Sequence, residues 1–516
     1  MNNAPAILRS LIIYAICVLL AIFVGYLLTN PMDYSTLGVF AILAALLVSP
    51  VLLRWHHPLL IITWNLGISM FFIPGAPRLS LVMVVLSLGI AVLERTLNRE
   101  RQFIHVPQVT WPLLCLAGVA LMTARLTGGF GLRALGSDVY GGKKYVFLMI
   151  GILSYFAMTS RRIPPERAVL YMTLYFLGGV TSFIGDLFPI APSWTHFVFW
   201  FFPPSTNTFS SFQVGETRLG GFAGTGTSIW CLLMARYGIR GIFLSGKLWR
   251  LFVFFLSFSM VFLGGFRSGF ITLGLIFIFQ FFLEGLHRTR LLMVFSLVGI
   301  LAAVAIIPLA PKLPYTVQRT LAFLPLNLDS EAVASAQNST DWRLNMWRAL
   351  LPQVPQHLLL GKGLAISPEE YNEMMGNTAL ATATGQFDPS QDPLALAFDY
   401  HNGPLSVIIP FGIWGAIAFL WFVVAGIRVL YCNFRYGDPS LQTINLFLFV
   451  NFLVSMIVFM TLYGAVTNEM MGFAGAVGLS ISLNGGVCQP APRPAQADRS
   501  LSPAEPFPRL RPGFQR

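Results

Sequence analysis

Charged side chains are scarce in this sequence: Asp, Glu, Lys and Arg make up only 10% of its 516 residues. A soluble domain carries roughly 25%, so the composition excludes a chain that folds with a fully water-facing surface. The apolar runs show no two-residue alternation, which excludes a transmembrane β-barrel and leaves helices as the spanning form. Cysteine is sparse too. Cys17, Cys115, Cys231, Cys432 and Cys488 have neither CxxC nor metal-ligand spacing and lie mostly in apolar runs, so they read as small buried hydrophobes. No A-x-A-like cleavage site follows the first apolar run, within 1–29, which therefore reads as a retained span. No repeat of fixed period is visible.

What the chain has is length of apolar run. Hydrophobic residues make up 55% of it, in stretches near the ~20 residues that cross a bilayer as helix. The expectation is an all-α polytopic membrane protein of about fourteen spans (range 12–14). They fall near 7–29, 37–53, 58–74, 79–93, 109–126, 144–160, 168–190, 221–238, 250–266, 268–286, 291–310, 404–427, 442–463 and 466–485. The formal charge of +12 is scattered over span ends and forms no single stripe, which argues against a nucleic-acid partner. With the amino terminus in the cytoplasm, 21 of the 33 Lys and Arg residues fall inside, and every short cytoplasmic turn is basic. Both termini are then cytoplasmic. The organisation expected is helices 1–11 over 1–310 with an aromatic outer loop at 191–219, a long outer loop at 311–403, helices 12–14 over 404–485, and a disordered tail at 486–516.

The unusual polar residues lie on the expected outer face. Arg218 opens RLGGFAGTGT, Arg267 sits in the turn GGFRSG, and the long loop carries DWRLNMWRALLPQVPQHLLLGKGLA with Arg343 and Arg348. The loop ends in DYHNGPLSVIIPFGIWG, with His401 and Asn402 at the start of a span. Each has a plain reading beside a functional one. An arginine at a span end snorkels to the interface, loop arginines are solvated, and an interfacial histidine is hydrogen-bonded. Yet a charge flanked by membrane helices costs a few kcal/mol unless hydrated or paired, and often marks a site.

Taken in order, these four pieces resemble the O-antigen ligase and polymerase superfamily of bacterial envelope glycan assembly. RLGGFAGTG looks like its Arg-x-x-Gly-x-x-Gly run, and GFRSG like its Ser-Arg-x-Gly turn with Phe266 in place of a small polar residue. DWRLNMW and LLLGKGL look like its Arg-x-x-x-Trp and Gly-x-Gly, and HNGPLSVIIPFGIWG like its His-Asn segment. The resemblance covers about 210–427. Two departures stand out. Thr225, Gly226 and Thr227 replace the usual Asn-Pro, and the stretch between Gly363 and His401 is long.

The resemblance implies transfer of a glycan from an undecaprenyl diphosphate carrier to an acceptor hydroxyl, at the outer face of the bacterial inner membrane. The acceptor is a lipid-A core, another lipid-linked glycan or a protein, so ligase and polymerase both remain open. Arginine suits the diphosphate, because its planar fork of donors stays charged at any relevant pH. His401 and Arg267 are the expected catalytic pair, the imidazole acting as base or as the group orienting the acceptor. Arg218, Arg343, Arg348 and Asn402 are expected to bind substrate. No cofactor is expected. A metal-dependent rival would use Asp388, Asp392 and Asp399, but no Asp-x-Asp pair is present and Pro389 and Pro393 interrupt the set. The second functional class is a transporter or flippase for lipid-linked glycans, which would place polar residues at mid-membrane in interrupted helices. Here Asp186 and Glu284 lie near span ends, and the polar residues gather in one outer loop.

Overall fold

The computed structural model describes residues 34–73, 75–100, 102–129, 141–204, 218–372 and 398–490, with a few positions between 14 and 25. Most of the expected first span, most of 364–400 (Asp388 and Asp392 included) and the tail from 491 lie outside the described residues. Among the described residues the fold is all-α with no strand; one isolated bridge pairs Ser69 with Arg78. Its longer helices are α1 Tyr34–Thr63, α2 Leu79–Leu97, α3 Pro107–Leu126, α4 Gly142–Met158, α5 Ala168–Val180, α6 Gly220–Phe243 and α7 Leu248–Phe262. They continue with α8 Arg267–Leu283, α9 Leu291–Leu309, α10 Tyr315–Leu321, α11 Ser330–Leu350, α12 Gly403–Tyr436, α13 Gln442–Thr461 and α14 Val466–Asn484. Among the described residues seven stretches are long and apolar enough to cross a bilayer, and α7 and α8 are shorter apolar helices.

One expectation fails for a clear reason. The segments 37–53 and 58–74 were expected as two spans separated by the polar run RWHHP. The structure makes them a single helix, α1, that carries Pro50 and Pro58 inside and stops at Thr63. The histidines do not need water there, because packed neighbours satisfy them. His56 Nδ1 lies 2.8 Å from Ser87 Oγ, and His57 Nε2 lies 3.0 Å from the Met158 carbonyl.

Two carboxylates near span ends are also accounted for by helix ends. Asp186 accepts from the Phe222 amide at 2.8 Å, capping the start of α6. Glu284 accepts from the amides of Ile239 and Arg240 at 2.8 and 3.0 Å, just past a break in α6 at Gly238. Both place negative charge at the positive end of a helix, where it is stabilising.

A second break positions the site. Helix α12 is interrupted at Gly412 (φ +63), two residues after Pro410, which frees backbone groups inside an apolar bundle. Residues 358–363 dock there. The amides of Lys362 and Gly363 donate to the Ile409 and Pro410 carbonyls at 2.8 and 2.9 Å, and the Ile413 amide donates to the Leu358 carbonyl at 2.7 Å. The Gly-Lys-Gly run thus repairs the broken helix. Gly361 sits at φ +74 and a β-carbon there would come within 2.2 Å of the Pro410 oxygen, so only glycine fits. This seam ties the segment expected as an outer loop to the bundle. Between α9 and α12 its described part is largely helical.

Candidate functional site

The site is assembled around α11. Asp329 caps it, accepting from the Glu331 amide at 2.8 Å. Ala336, Thr340, Arg343 and Trp347, spaced by four, three and four residues, share one helical face. Each end of that face reaches a different part of the site. At one end Arg267 donates to the Ala336 carbonyl at 2.9 Å and to Thr340 Oγ1 at 3.0 Å. At the other, the Trp347 indole N–H donates to the Tyr400 carbonyl at 2.8 Å, one residue before His401. The Arg-x-x-x-Trp spacing therefore has a physical use: Arg343 faces the site, and Trp347, one turn on, anchors the histidine segment.

The arginines gather at the turn between α7 and α8. The Leu219 amide donates to the Leu263 carbonyl at 2.9 Å, which brings the Arg218 segment against the turn. The Arg218 guanidinium lies 4.9 Å from the Phe266 ring centroid, a cation–π distance. Phe266, the departure from the family's small polar residue, is thus the surface on which Arg218 rests. A further arginine completes the group. Arg319, on α10, donates to the Gly265 carbonyl at 2.8 Å and to Ser335 Oγ at 3.1 Å, joining the turn to α11. Arg267 feels the charges of both Arg343 and Arg319. Burial, with Arg319 nearby, pushes the Arg343 guanidinium below its ordinary value, partly offset by Tyr463. The amino end of α8, where Arg267 sits, has no side-chain cap. Gathered guanidinium groups beside an uncapped helix amino terminus favour an anion.

His401 stands on the adjoining side. Its φ of +46 is in the left-handed region that a β-carbon disfavours, as is that of Phe398 at +57. Such strain persists only where surroundings enforce it and clusters at functional sites. The imidazole packs 4.6 Å from the Tyr463 ring and 5.3 Å, edge-on, from that of Trp342. Asp399 Oδ1 lies 4.0 Å from His401 Nδ1. Tyr463 follows the end of α13. Burial and then the Asp399 and Glu469 carboxylates push its hydroxyl up to about 12, with Arg343 opposing, so it stays a neutral phenol. Arg343 and Tyr463 thereby link the arginine group to the histidine. Lys144, at the start of α4, also faces this side, its ammonium 5.6 Å from the Phe398 ring centroid.

Of the residues expected from sequence, Arg218, Arg267 and Arg343 converge, and His401 adjoins them. Arg348 does not join them. It is exposed, lies five residues after Arg343 and so about 140° around the helix from it, and bonds Asn345 on its own helix at 3.3 Å. Asn402 acts as a helix cap, its Oδ1 accepting from the Leu405 amide at 3.0 Å and fixing the backbone just after His401. Arg319 and Tyr463 went unnoticed in the sequence. Arg319 lies in the plain run PYTVQRTL, and Tyr463 lies at a span end far along the chain from His401. Asp399 was weighed only as a metal ligand.

No curated protein matches the chain significantly. Residues 252–420, which carry Arg267, Arg343 and His401, match the family model described as O-antigen ligase.

Proposed function

We propose that this protein transfers a glycan from undecaprenyl diphosphate to an acceptor hydroxyl at the outer face of the bacterial inner membrane, in lipopolysaccharide or exopolysaccharide assembly. The observation that carries the reading is the gathering of Arg218, Arg267, Arg319 and Arg343 at one turn, beside a strained histidine with a carboxylate partner. The basic short turns support a cytoplasmic carboxyl terminus and this end of the bundle outside. With 37–53 and 58–74 joined in α1, at most thirteen of the fourteen expected spans remain, and 311–403 is an outer-face segment. Partners are the lipid-linked donor, a glycan or lipid acceptor, the bilayer and other polysaccharide-assembly proteins.

In the reaction the acceptor oxygen attacks the anomeric carbon while the bond from that carbon to the diphosphate oxygen breaks. The acceptor proton passes to His401, and the electron pair leaves on the carrier diphosphate. Arg267 and Arg343 stabilise the growing negative charge, Arg218 holds the diphosphate from the Phe266 side, and the amino end of α8 adds its dipole. Asp399 favours the imidazolium that forms. One displacement inverts the sugar carbon, and the guanidinium groups perform the neutralisation a divalent cation would otherwise supply. The capping roles of Asp186 and Glu284 favour this reading over a transporter, since they give those two carboxylates a structural use.

His401→Ala and Arg267→Ala should each lower transfer by ~10²-fold or more while the protein still accumulates in the membrane. Near-normal transfer by both variants would overturn the assignment. Gene deletion separates the acceptors: single repeat units remaining mean a polymerase, whereas full-length carrier-linked chains with bare lipid A mean a ligase.

A further inference from the structure

At the opposite end of α8, about 25 Å from Arg267 by helix rise, a cavity of about 370 Å³ opens between the end of α6, residues 286–291 and the start of α9. Arg240 and Arg290 line it together with Thr289, and its other walls are Leu244, Leu286, Leu291 and Val294. Arg240 is held in place, donating to the Glu284 carbonyl at 2.7 Å. Among the described residues no carboxylate lines the cavity. The nearby Glu284 carboxylate is engaged by the Ile239 and Arg240 amides and by Gln280 Nε2 at 3.0 Å. Two arginines and one threonine therefore line a space whose surface is mostly hydrocarbon.

The geometry points to a binding site for an anionic phospholipid of the cytoplasmic leaflet, its phosphate between Arg240 and Arg290 and an acyl chain along Leu291 and Val294. A free phosphate would leave the leucine and valine walls unused, and a zwitterionic headgroup would bring a cation towards two arginines. The continuation of those walls is α9, none of whose residues is buried, so a chain leaving the cavity runs along an open apolar helix. Basic pockets between membrane helices on the cytoplasmic side bind such headgroups. The basic turns at 236–250 and 288–290 assign this end to the cytoplasm.

The test uses the full-length protein purified in detergent, with bound lipid counted by native mass spectrometry during titration with dioleoyl phosphatidylglycerol, dioleoyl phosphatidylcholine or inorganic phosphate. Phosphatidylglycerol should be retained in preference to phosphatidylcholine, and phosphate alone should not displace it. Each arginine near the headgroup is worth about five-fold in affinity, so Arg290→Gln should weaken retention about five-fold. Arg240→Gln with Arg290→Gln should weaken it further. Because the Arg240 change also removes a bond to Glu284, the single Arg290 variant carries the decision. Arg288→Gln, a nearby cation outside the cavity, should leave retention unchanged. Equal retention of the two lipids, displacement by phosphate, an unaffected Arg290 variant, or an equal loss in the Arg288 variant would each overturn the site.

Discussion

Replacing Trp347 by Phe removes one hydrogen bond while keeping most of the apolar volume, and it bears on how His401 is held. The bond runs from the indole N–H to the Tyr400 carbonyl at 2.8 Å, and Tyr400 is buried. Its net worth is about 1 kcal/mol, rising to about 3 kcal/mol if the buried carbonyl finds no other donor. The left-handed conformation of His401 costs a comparable ~1–3 kcal/mol, so this anchor is of the size needed to maintain it. If the loss falls on the placement of the imidazole, kcat should drop about five- to hundred-fold. The arginine group is fixed by separate bonds to Gly265, Ala336 and Thr340, so KM for the carrier-linked donor should hold. The assay is initial-rate kinetics of purified protein in nanodiscs, varying the donor at saturating acceptor. An unchanged kcat, or a raised KM at constant kcat, would refute the reasoning.

Arg319→Gln, which cuts the tie between the α7–α8 turn and α11, should lower kcat/KM at least ten-fold, with Arg319→Lys recovering part of it in the same assay. Arg348→Ala should stay within about two-fold of wild type in kcat/KM, because its recorded partner, Asn345, is on its own helix. Asp399→Asn should reduce kcat about ten-fold or more by withdrawing the carboxylate beside the imidazole, read as the rate at saturating donor. Gly361→Ala should destabilise the fold by more than ~1 kcal/mol, seen as a lower midpoint in detergent thermal unfolding, since its β-carbon would strike the Pro410 oxygen.

Much of this was legible in the sequence because membranes simplify the problem. Apolar runs of spanning length identified most helices from α2 onward, and the site pieces stood out as polar residues where hydrocarbon is the rule. The RWHHP run misled because its polarity is answered at a distance: Ser87 and the Met158 carbonyl are far along the chain from His56 and His57. Phe266 looked like a defect of the family turn, and only its approach to Arg218 explains it. Gly361 and Gly363 matched a motif without revealing that they dock on a broken helix. Arg319 and Tyr463 carry no local signal; they belong to the site through folding alone.

The central claim is tested most directly by following both products in one reaction, with purified protein in liposomes given an undecaprenyl diphosphate-linked glycan and a candidate acceptor. The account predicts a covalently glycosylated acceptor and released undecaprenyl diphosphate in equal amounts, both lost in Arg267→Ala and His401→Ala. Movement of intact lipid-linked glycan across the bilayer without release of the carrier would contradict it.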